Sequence, residues 1–138
     1  MTKLLICTTL LFLVSLTNGQ IANCRICTLD NKCLVPDERG DLNAKLNPNY
    51  VWRLTQFKRI QSIMDEKIFN LCGLNNKRIG TFTAEQYEGV DCEWTLSGME
   101  NRLFAIKNVQ YKSYIAVIKG QEATELSGVP DQWKLQCH

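Results

Sequence analysis

The cysteines are the side chains of this sequence with the clearest capacity for chemistry. The 138-residue chain has seven, and six of them follow residue 20: Cys24, Cys27, Cys33, Cys72, Cys92 and Cys137. The Cys24-x-x-Cys27 spacing occurs in zinc sites and in redox-active dithiols. A zinc site would need a second close pair or nearby histidines, and the only histidine is the last residue, His138. Six cysteines in one small domain are instead typical of a disulfide framework, so we predict three disulfides and no bound metal.

Side chains for catalysis are scarce. A nucleophilic serine or cysteine needs a base, and His138 lies at a chain end, where order is usually lowest. Oxidised cysteines offer no thiolate. No spacing singles out a pair of carboxylates for glycoside hydrolysis, and phosphate-binding glycine motifs are absent. The sequence therefore predicts a protein that is not an enzyme and has no cofactor.

Three tryptophans indicate how the chain positions any binding residues. Each begins a Trp-x-Leu signature, at Trp52, Trp94 and Trp133, and the spacings of 42 and 39 residues are nearly constant. Such a period suggests internal repetition. In the Trp-x-Leu strands, Trp and Leu would share one face.

The segments before each tryptophan, residues 26–34, 71–79 and 106–114, align without gaps. All three have an aliphatic pair three residues apart, then two turn residues, then a lysine. This pattern predicts strand, turn, strand in each copy, since Asn and Asp favour tight turns. The predicted turns are Asp30-Asn31, Asn75-Asn76 and Gln110-Tyr111.

A further strand is predicted after each of the first two Trp-x-Leu signatures, at residues 59–63 and 101–104. Apolar residues between 54 and 68 also fit a helical period, so a helix there is an alternative. The matching part of the next copy contains Ser97-Gly98 and is too short for a helix, which favours the strand.

Three units of about four short strands predict an all-β fold, a disulfide-stabilised β-trefoil, in which the tryptophans fill equivalent core positions. Of the fifteen pairings that six cysteines permit, the closed barrel favours one set. Cys27 and Cys33 flank one hairpin turn, Cys72 and Cys92 would join the start of the second unit to its last strand, and Cys24 and Cys137 would join the first strand to the last.

Residues 1–19 have the features of a secretory signal peptide. A short positive segment precedes an apolar run from 4 to 16 that is too short to span a bilayer comfortably, followed by small residues before a cleavage point at Gln20. We therefore expect a secreted, extracellular single domain from 20 to 138. Loss of Lys3 lowers the net charge from +2 to +1, which argues against nucleic acid as the partner, and no later segment predicts a membrane span.

The leader, six cysteines and three Trp-x-Leu units resemble the cysteine- and tryptophan-rich salivary proteins of about 16 kDa from culicine mosquitoes. More loosely, the repeats are similar to ricin B-type lectin domains. The resemblance implies a secreted trefoil that binds carbohydrate, with a host glycan or glycoprotein as partner. The chain departs from the lectin pattern, because Tyr50, Cys92 and Asp131 stand where ricin-type repeats have Gln, and Thr28, Gly73 and Asn108 stand where the sugar-binding acid is expected.

Carbohydrate binding needs polar groups around vicinal hydroxyls and an aromatic face. The third unit offers the fullest set of candidates. The residues considered in all units are Asn108, Gln110, Tyr111 and Asp131 in the third, Asp30, Asn31 and Asn49 in the first, and Asn75, Asn76 and Phe82 in the second.

A second reading is a trefoil that presents a loop to another protein, as a protease inhibitor or another modulator of host defence or haemostasis. Arg39 or Lys45 would then enter the specificity pocket of a protease. On either reading we expect a monomer.

Overall fold

The computed structural model describes residues 22–46, 48–55 and 58–137. Within them the chain forms twelve short strands and two single-turn 3₁₀ helices, Val90–Cys92 and Glu100–Arg102. The strands are β1 Ala22–Cys27, β2 Lys32–Pro36, β3 Leu42–Leu46, β4 Trp52–Leu54, β5 Ile60–Met64, β6 Lys67–Gly73, β7 Ile79–Thr83, β8 Trp94–Gly98, β9 Phe104–Asn108, β10 Tyr114–Val117, β11 Thr124–Ser127 and β12 Lys134–Cys137.

The twelve strands fall into three units of four. Strands β1 to β4 form unit 1, β5 to β8 unit 2, and β9 to β12 unit 3. The first and last strands of the units form a barrel: β12 pairs with β1, β1 with β4, β4 with β5, and β8 with β9. The remaining contacts are a bridge between Phe104 and Trp133 and a 2.8 Å hydrogen bond from the Trp94 amide to the Lys58 carbonyl. These contacts close the barrel and leave it without a free edge.

The middle strands of each unit form three hairpins, β2–β3, β6–β7 and β10–β11. The hairpins meet one another through three backbone hydrogen bonds that run in one direction around a threefold axis. Each hairpin donates one amide and accepts at one carbonyl from a different neighbour. The bonds are Ala44 N–H to Glu122 O (2.7 Å), Leu126 N–H to Lys77 O (2.8 Å) and Thr81 N–H to Gly40 O (2.8 Å).

The three tryptophans have equivalent surroundings, as the repeat predicts. All three are almost completely buried, and each indole N–H donates to a main-chain carbonyl in the second strand of its own unit. The acceptors are Leu34 (3.0 Å), Leu71 (2.8 Å) and Ile115 (3.2 Å). Each ring therefore removes a large apolar area from water while its polar group keeps a partner.

The indole acceptors correct the predicted alignment of the second unit. Leu71, on the second strand of its unit, is equivalent to Leu34 and Ile115 and not to Ile26, which is on a first strand. The alignment of 71–79 with 26–34 is therefore wrong by one strand. The Asn75-Asn76 turn joins β6 to β7. The true counterpart of the Asp30-Asn31 turn is Asp65-Glu66, which joins β5 to β6 with both residues in the left-handed region, at φ 50° and 65°.

Two further local predictions have opposite outcomes. The strand predicted over 59–63 is confirmed as β5, and the helical alternative over 54–68 is wrong in the described part of that segment. The strand predicted over 101–104 is wrong, because Glu100–Arg102 forms a 3₁₀ helix and β9 begins at Phe104. Asn101 and Arg102 have φ near 60°, which interrupts an extended strand.

Three disulfides join Cys24 to Cys137, Cys27 to Cys33, and Cys72 to Cys92. These are the pairings that the predicted barrel favoured. The Cys24-x-x-Cys27 pair is divided between two disulfides, so it offers neither a dithiol nor a pair of zinc ligands.

The predicted leader, residues 1–19, lies outside the described residues. Between 22 and 137, in the ranges that the structure covers, no helix has the length and hydropathy to cross a bilayer.

Candidate functional site

Three clefts occupy equivalent places in the three units. Each is lined by the residue two places after the carbonyl that accepts the indole hydrogen bond: Pro36 in unit 1, Gly73 in unit 2 and Val117 in unit 3. Their volumes are similar, at about 470, 440 and 500 Å³ respectively. The threefold fold therefore offers three clefts of comparable position and volume. They differ in the side chains that line them.

The residues predicted in unit 3 do not form one site. Asn108 is fully buried: its amide donates to the Asp91 carbonyl at 2.8 Å, and its oxygen accepts from the amides of Gln110 and Tyr111, both at 3.0 Å. Its hydrogen-bonding groups are therefore used within the protein. Asp131 lies apart from Asn108, in the unit 3 cleft, where it accepts from the Val117 main-chain amide at 2.7 Å.

The residues predicted in unit 1 are separated in the same way. Asp30 lines the cleft that also contains Asp131, and a hydrogen bond from the Thr28 hydroxyl is the largest factor that lowers the pKa of Asp30. Asn31 lies in the same turn and accepts from the Lys134 ammonium at 2.7 Å. Asn49 is exposed in the connection before Trp52, away from these contacts.

In unit 2 the two predicted asparagines shape a turn. The Asn75 side-chain oxygen accepts from the amides of Lys77 and Arg78, both at 2.8 Å, and Asn76 is exposed beside it. Phe82, the third candidate, belongs to a different surface. It lines the unit 2 cleft together with Gly73, Leu74, Gln86, Tyr87 and Asp91.

The unit 2 cleft differs from the other two because it has aromatic walls. The rings of Phe82 and Tyr87 meet edge to face with centroids 5.8 Å apart, and both are partly exposed, at 36% and 42%. The unit 1 cleft is lined mainly by charged residues, and the unit 3 cleft combines charged and aliphatic ones without an aromatic ring. Ring faces next to a carboxylate and an amide are the combination that a sugar ring requires.

Tyr87 and Asp91 form the polar centre of this cleft. The Tyr87 hydroxyl donates to Asp91 Oδ2 at 2.6 Å, and this hydrogen bond raises the pKa of the phenol above its usual value. Tyr87 is therefore protonated at neutral pH. Asp91 Oδ1 accepts no hydrogen bond from an N–H or O–H group within the described residues, so it can accept one from a ligand hydroxyl.

Gly73 sets the floor of the cleft. A Cβ atom added at Gly73 would lie 2.9 Å from a ring carbon of Tyr111, which is closer than real contacts allow. Glycine thus lets the Tyr111 ring pack directly against the end of β6. Of the predicted candidates, Tyr111 and Asn108 of unit 3 therefore pack behind Gly73. Phe82 of unit 2 lines the cleft itself.

The loop that carries Gln86, Tyr87 and Asp91 is an insertion specific to unit 2. Ten residues, 84–93, connect β7 to Trp94, whereas five residues precede Trp52 after β3 and five precede Trp133 after β11. The insertion is tied down by the Cys72–Cys92 disulfide and by hydrogen bonds to five successive carbonyls. The side-chain amides of Asn70 and Asn108 donate to the Tyr87 and Asp91 carbonyls, and the Arg59 guanidinium donates to those of Glu88 and Gly89. The main-chain amide of Glu93 donates to the Val90 carbonyl.

No family model matches the chain, and no curated protein sequence matches it. Among solved structures, it is similar to SeviL bound to asialo-GM1 saccharide, with 16% identity, 84% of this chain and 97% of that chain covered, and a TM-score of 0.63. It is also similar to the lysenin pore, with 11% identity, 87% of this chain covered and a TM-score of 0.65; it spans about half (49%) of the lysenin chain. At these identities the similarity establishes the fold.

The fold is a β-trefoil. Together with the closed barrel and the three equivalent indoles, the similarity confirms the predicted architecture. Within the described ranges of this trefoil, no three His, Cys, Asp or Glu side chains lie close enough to hold a metal ion.

Arg59 is expected to be the main anchor of the inserted loop. Its guanidinium donates to the Glu88 and Gly89 carbonyls, both at 3.0 Å, and lies 3.6 Å from the Glu93 carboxylate. Replacing Arg59 with alanine should lower the free energy of unfolding by about 2 kcal/mol, because charge-assisted hydrogen bonds are lost from a largely buried side chain. Urea denaturation measures this loss, and hydrogen exchange should accelerate selectively in residues 84–93.

Arg39→Ala is the matched control for Arg59→Ala. The Arg39 side chain is 82% exposed, and its ion pair with Asp41 is at the surface. Its removal should change stability by less than about 1 kcal/mol. Equal effects of the two substitutions would contradict the anchoring role of Arg59.

Proposed function

We propose that this chain is a secreted, non-catalytic carbohydrate-binding protein whose site is the aromatic cleft of unit 2. One observation carries the proposal: two exposed rings, a carboxylate and an amide converge on a loop whose five successive carbonyls are all hydrogen-bonded. A loop fixed before binding loses little conformational entropy when a ligand arrives. A cleft of this size fits one or two sugar rings.

The proposed binding mode uses each group for one task. The Tyr87 ring packs against the apolar face of a sugar, with Phe82 supporting it at 5.8 Å. Asp91 Oδ1 accepts a hydrogen bond from a sugar hydroxyl, and the Gln86 amide both donates and accepts. Because the proposed mature chain is nearly neutral, with a formal net charge of +1 after the loss of Lys3, a neutral glycan is favoured over a polyanion.

The shared fold and the disulfides also support a secreted carbohydrate-binding protein. SeviL, which shares the fold, has been solved with a bound saccharide. Three disulfides suit an extracellular protein, and we propose that residues 1–19 are a signal peptide preceding a single domain from 20 to 138. The same proposal includes a salivary origin, as in the culicine mosquito proteins, a monomeric state, and a host glycan or glycoprotein as the partner.

Tyr87→Ala should reduce glycan binding roughly tenfold or more, because the stacking face and the group that orients Asp91 are both lost. The measurement is a glycan array on the oxidised protein, with asialo-GM1 saccharide among the probes, followed by titration calorimetry on each glycan that binds. Tyr87→Phe keeps the ring and removes the hydroxyl, so it should have a smaller effect.

Leu29→Ala is the matched control, since Leu29 is 64% exposed and lines the unit 3 cleft. It should leave glycan affinity unchanged. If the wild-type protein binds no glycan on the array, or if Leu29→Ala weakens binding as much as Tyr87→Ala, the proposed site is wrong.

The alternative of a protease inhibitor has less support. Arg39 lies in a tight turn closed by a 2.9 Å hydrogen bond from the Gly40 amide to the Asp37 carbonyl. Lys45 is paired with Cys33 within the β2–β3 hairpin. Neither residue stands in a long extended loop.

A further inference from the structure

The outer face of the sheet in unit 2 has an apolar surface beside the aromatic cleft. Ile63 and Ile68 are directly paired across β5 and β6, and they are 54% and 39% exposed. On the same face Asn70 pairs with Phe82, which places Phe82 diagonally next to Ile68. Diagonal neighbours on a sheet are within reach of aromatic side chains. We call Ile63, Ile68 and Phe82 the outer stripe.

The inserted loop explains why the outer stripe is open. The loop covers the middle of this face, where Asn70 is 1% exposed and its amide donates to the Tyr87 carbonyl. The loop begins at Ala84, whose main-chain amide donates to the Ile68 carbonyl at 2.8 Å. The side chains of Ile63 and Ile68 remain exposed. The stripe is thus continuous with the cleft at Phe82. Contiguous exposed apolar residues at the edge of a polar site are typical of interaction surfaces.

Charged residues around the outer stripe narrow the choice of partner. Asp65 and Glu66 form the tip of the β5–β6 hairpin, and Glu85 and Glu88 are exposed on the inserted loop. Lys67 is exposed beside the tip, and the Arg59 guanidinium is largely buried under the loop, where it is paired with Glu93. An acidic rim repels anionic phospholipid headgroups. It favours a partner with apolar side chains flanked by lysine or arginine.

We propose that the outer stripe binds the polypeptide that carries the glycan, so that the protein recognises a glycoprotein segment and not the sugar alone. The inference rests on the proposed carbohydrate site. The three strands that carry the stripe span about 10 Å at about 4.8 Å per strand, which matches about three residues of extended peptide. Such a peptide is apolar where it crosses Ile63 and Ile68 and basic where it meets the acidic rim.

The test compares three presentations of whichever glycan gives the highest array signal. The first is the free oligosaccharide. The second is the same glycan on the central asparagine of two pentapeptides, one with leucine flanks and terminal lysines, the other with serine throughout. The third is the glycan on a lipid in phosphatidylcholine vesicles. The wild-type protein should bind the leucine–lysine glycopeptide about tenfold more tightly than the serine glycopeptide or the free glycan.

The double variant Ile63→Ser/Ile68→Ser should lose this tenfold preference and keep the affinity for the free glycan. Leu46→Ser is the control, because Leu46 is an exposed aliphatic residue, at 65% against 54% for Ile63 and 39% for Ile68, but lies in unit 1. Tyr87→Ala should lose binding in every format, which separates a failure of the sugar site from a failure of the stripe.

Three results would overturn the inference. One is equal affinity of the wild-type protein for the two glycopeptides. Another is a selective loss of vesicle binding in the double variant, which would assign the stripe to a lipid. The third is a change from dimer to monomer in the double variant on sedimentation, which would assign the stripe to a second copy of the chain.

Discussion

Removing the indole ring of Trp133 is expected to lower the free energy of unfolding by about 3 to 5 kcal/mol. Trp133 is fully buried, and its N–H satisfies the Ile115 carbonyl at 3.2 Å. Trp133→Ala therefore creates a large cavity and leaves a buried acceptor without its donor. Urea denaturation followed by far-ultraviolet circular dichroism measures the loss.

Phenylalanine at the same position separates the two contributions. Trp133→Phe keeps most of the ring volume and removes the donor, so about 1 to 3 kcal/mol should be lost. Because Trp52 and Trp94 make the same hydrogen bond, to Leu34 and Leu71, their phenylalanine variants should lose similar amounts. A cost confined to one of the three would contradict their equivalence.

Replacing Cys24 and Cys137 with alanine should be the most destabilising loss of a disulfide. These cysteines are 113 residues apart, so their bond restricts the unfolded chain over nearly the whole described sequence. The chain-entropy relation gives about 5 kcal/mol for a loop of this length. The free energy of unfolding of the double alanine variant, measured in urea under oxidising conditions, tests the value.

The Cys27–Cys33 bond provides the comparison, since its cysteines are buried but only six residues apart. The same relation gives about 2 kcal/mol for its removal. Equal losses in the two double variants would show that restriction of the unfolded chain is not what makes the long-range disulfide stabilising.

Much of the architecture could be predicted from the sequence because the large buried residues recur at a regular spacing. The spacing of Trp52, Trp94 and Trp133 gave the number of units, and the proximity of the first and last strands in a closed barrel gave the pairing of Cys24 with Cys137. Few positions in a fold can bury a tryptophan and also provide an acceptor for its N–H. The regular recurrence of tryptophan therefore indicates equivalent positions in three units.

The register of unit 2 could not be predicted because two differences in length have opposite signs and partly offset each other. The Asp65-Glu66 turn has two residues where the corresponding connection in unit 1, residues 28–31, has four. The connection before Trp94 has five residues more than its counterparts. The net difference is three residues, so the spacing between tryptophans stays near 40 and reveals neither change in length.

The candidate site was missed for a different physical reason. Asparagine and aspartate are the side chains best able to bind sugar hydroxyls, and they are also the ones that best stabilise turns. Asn75 and Asn108 both accept two main-chain amides, so most of their capacity is used by the fold. The length of the 84–93 connection, which brings Tyr87 and Asp91 together, was the signal that could have found the cleft.

The ring of hydrogen bonds among the three hairpins has a consequence for how such a chain can arise. One third of the molecule, taken by itself, would expose this amide and this carbonyl to water and would lack the neighbouring strands that complete the barrel. An ancestral single unit could therefore have been stable only as a trimer of identical chains, with fusion into one polypeptide coming later. Once joined, one third was free to acquire the ten-residue connection that the others lack.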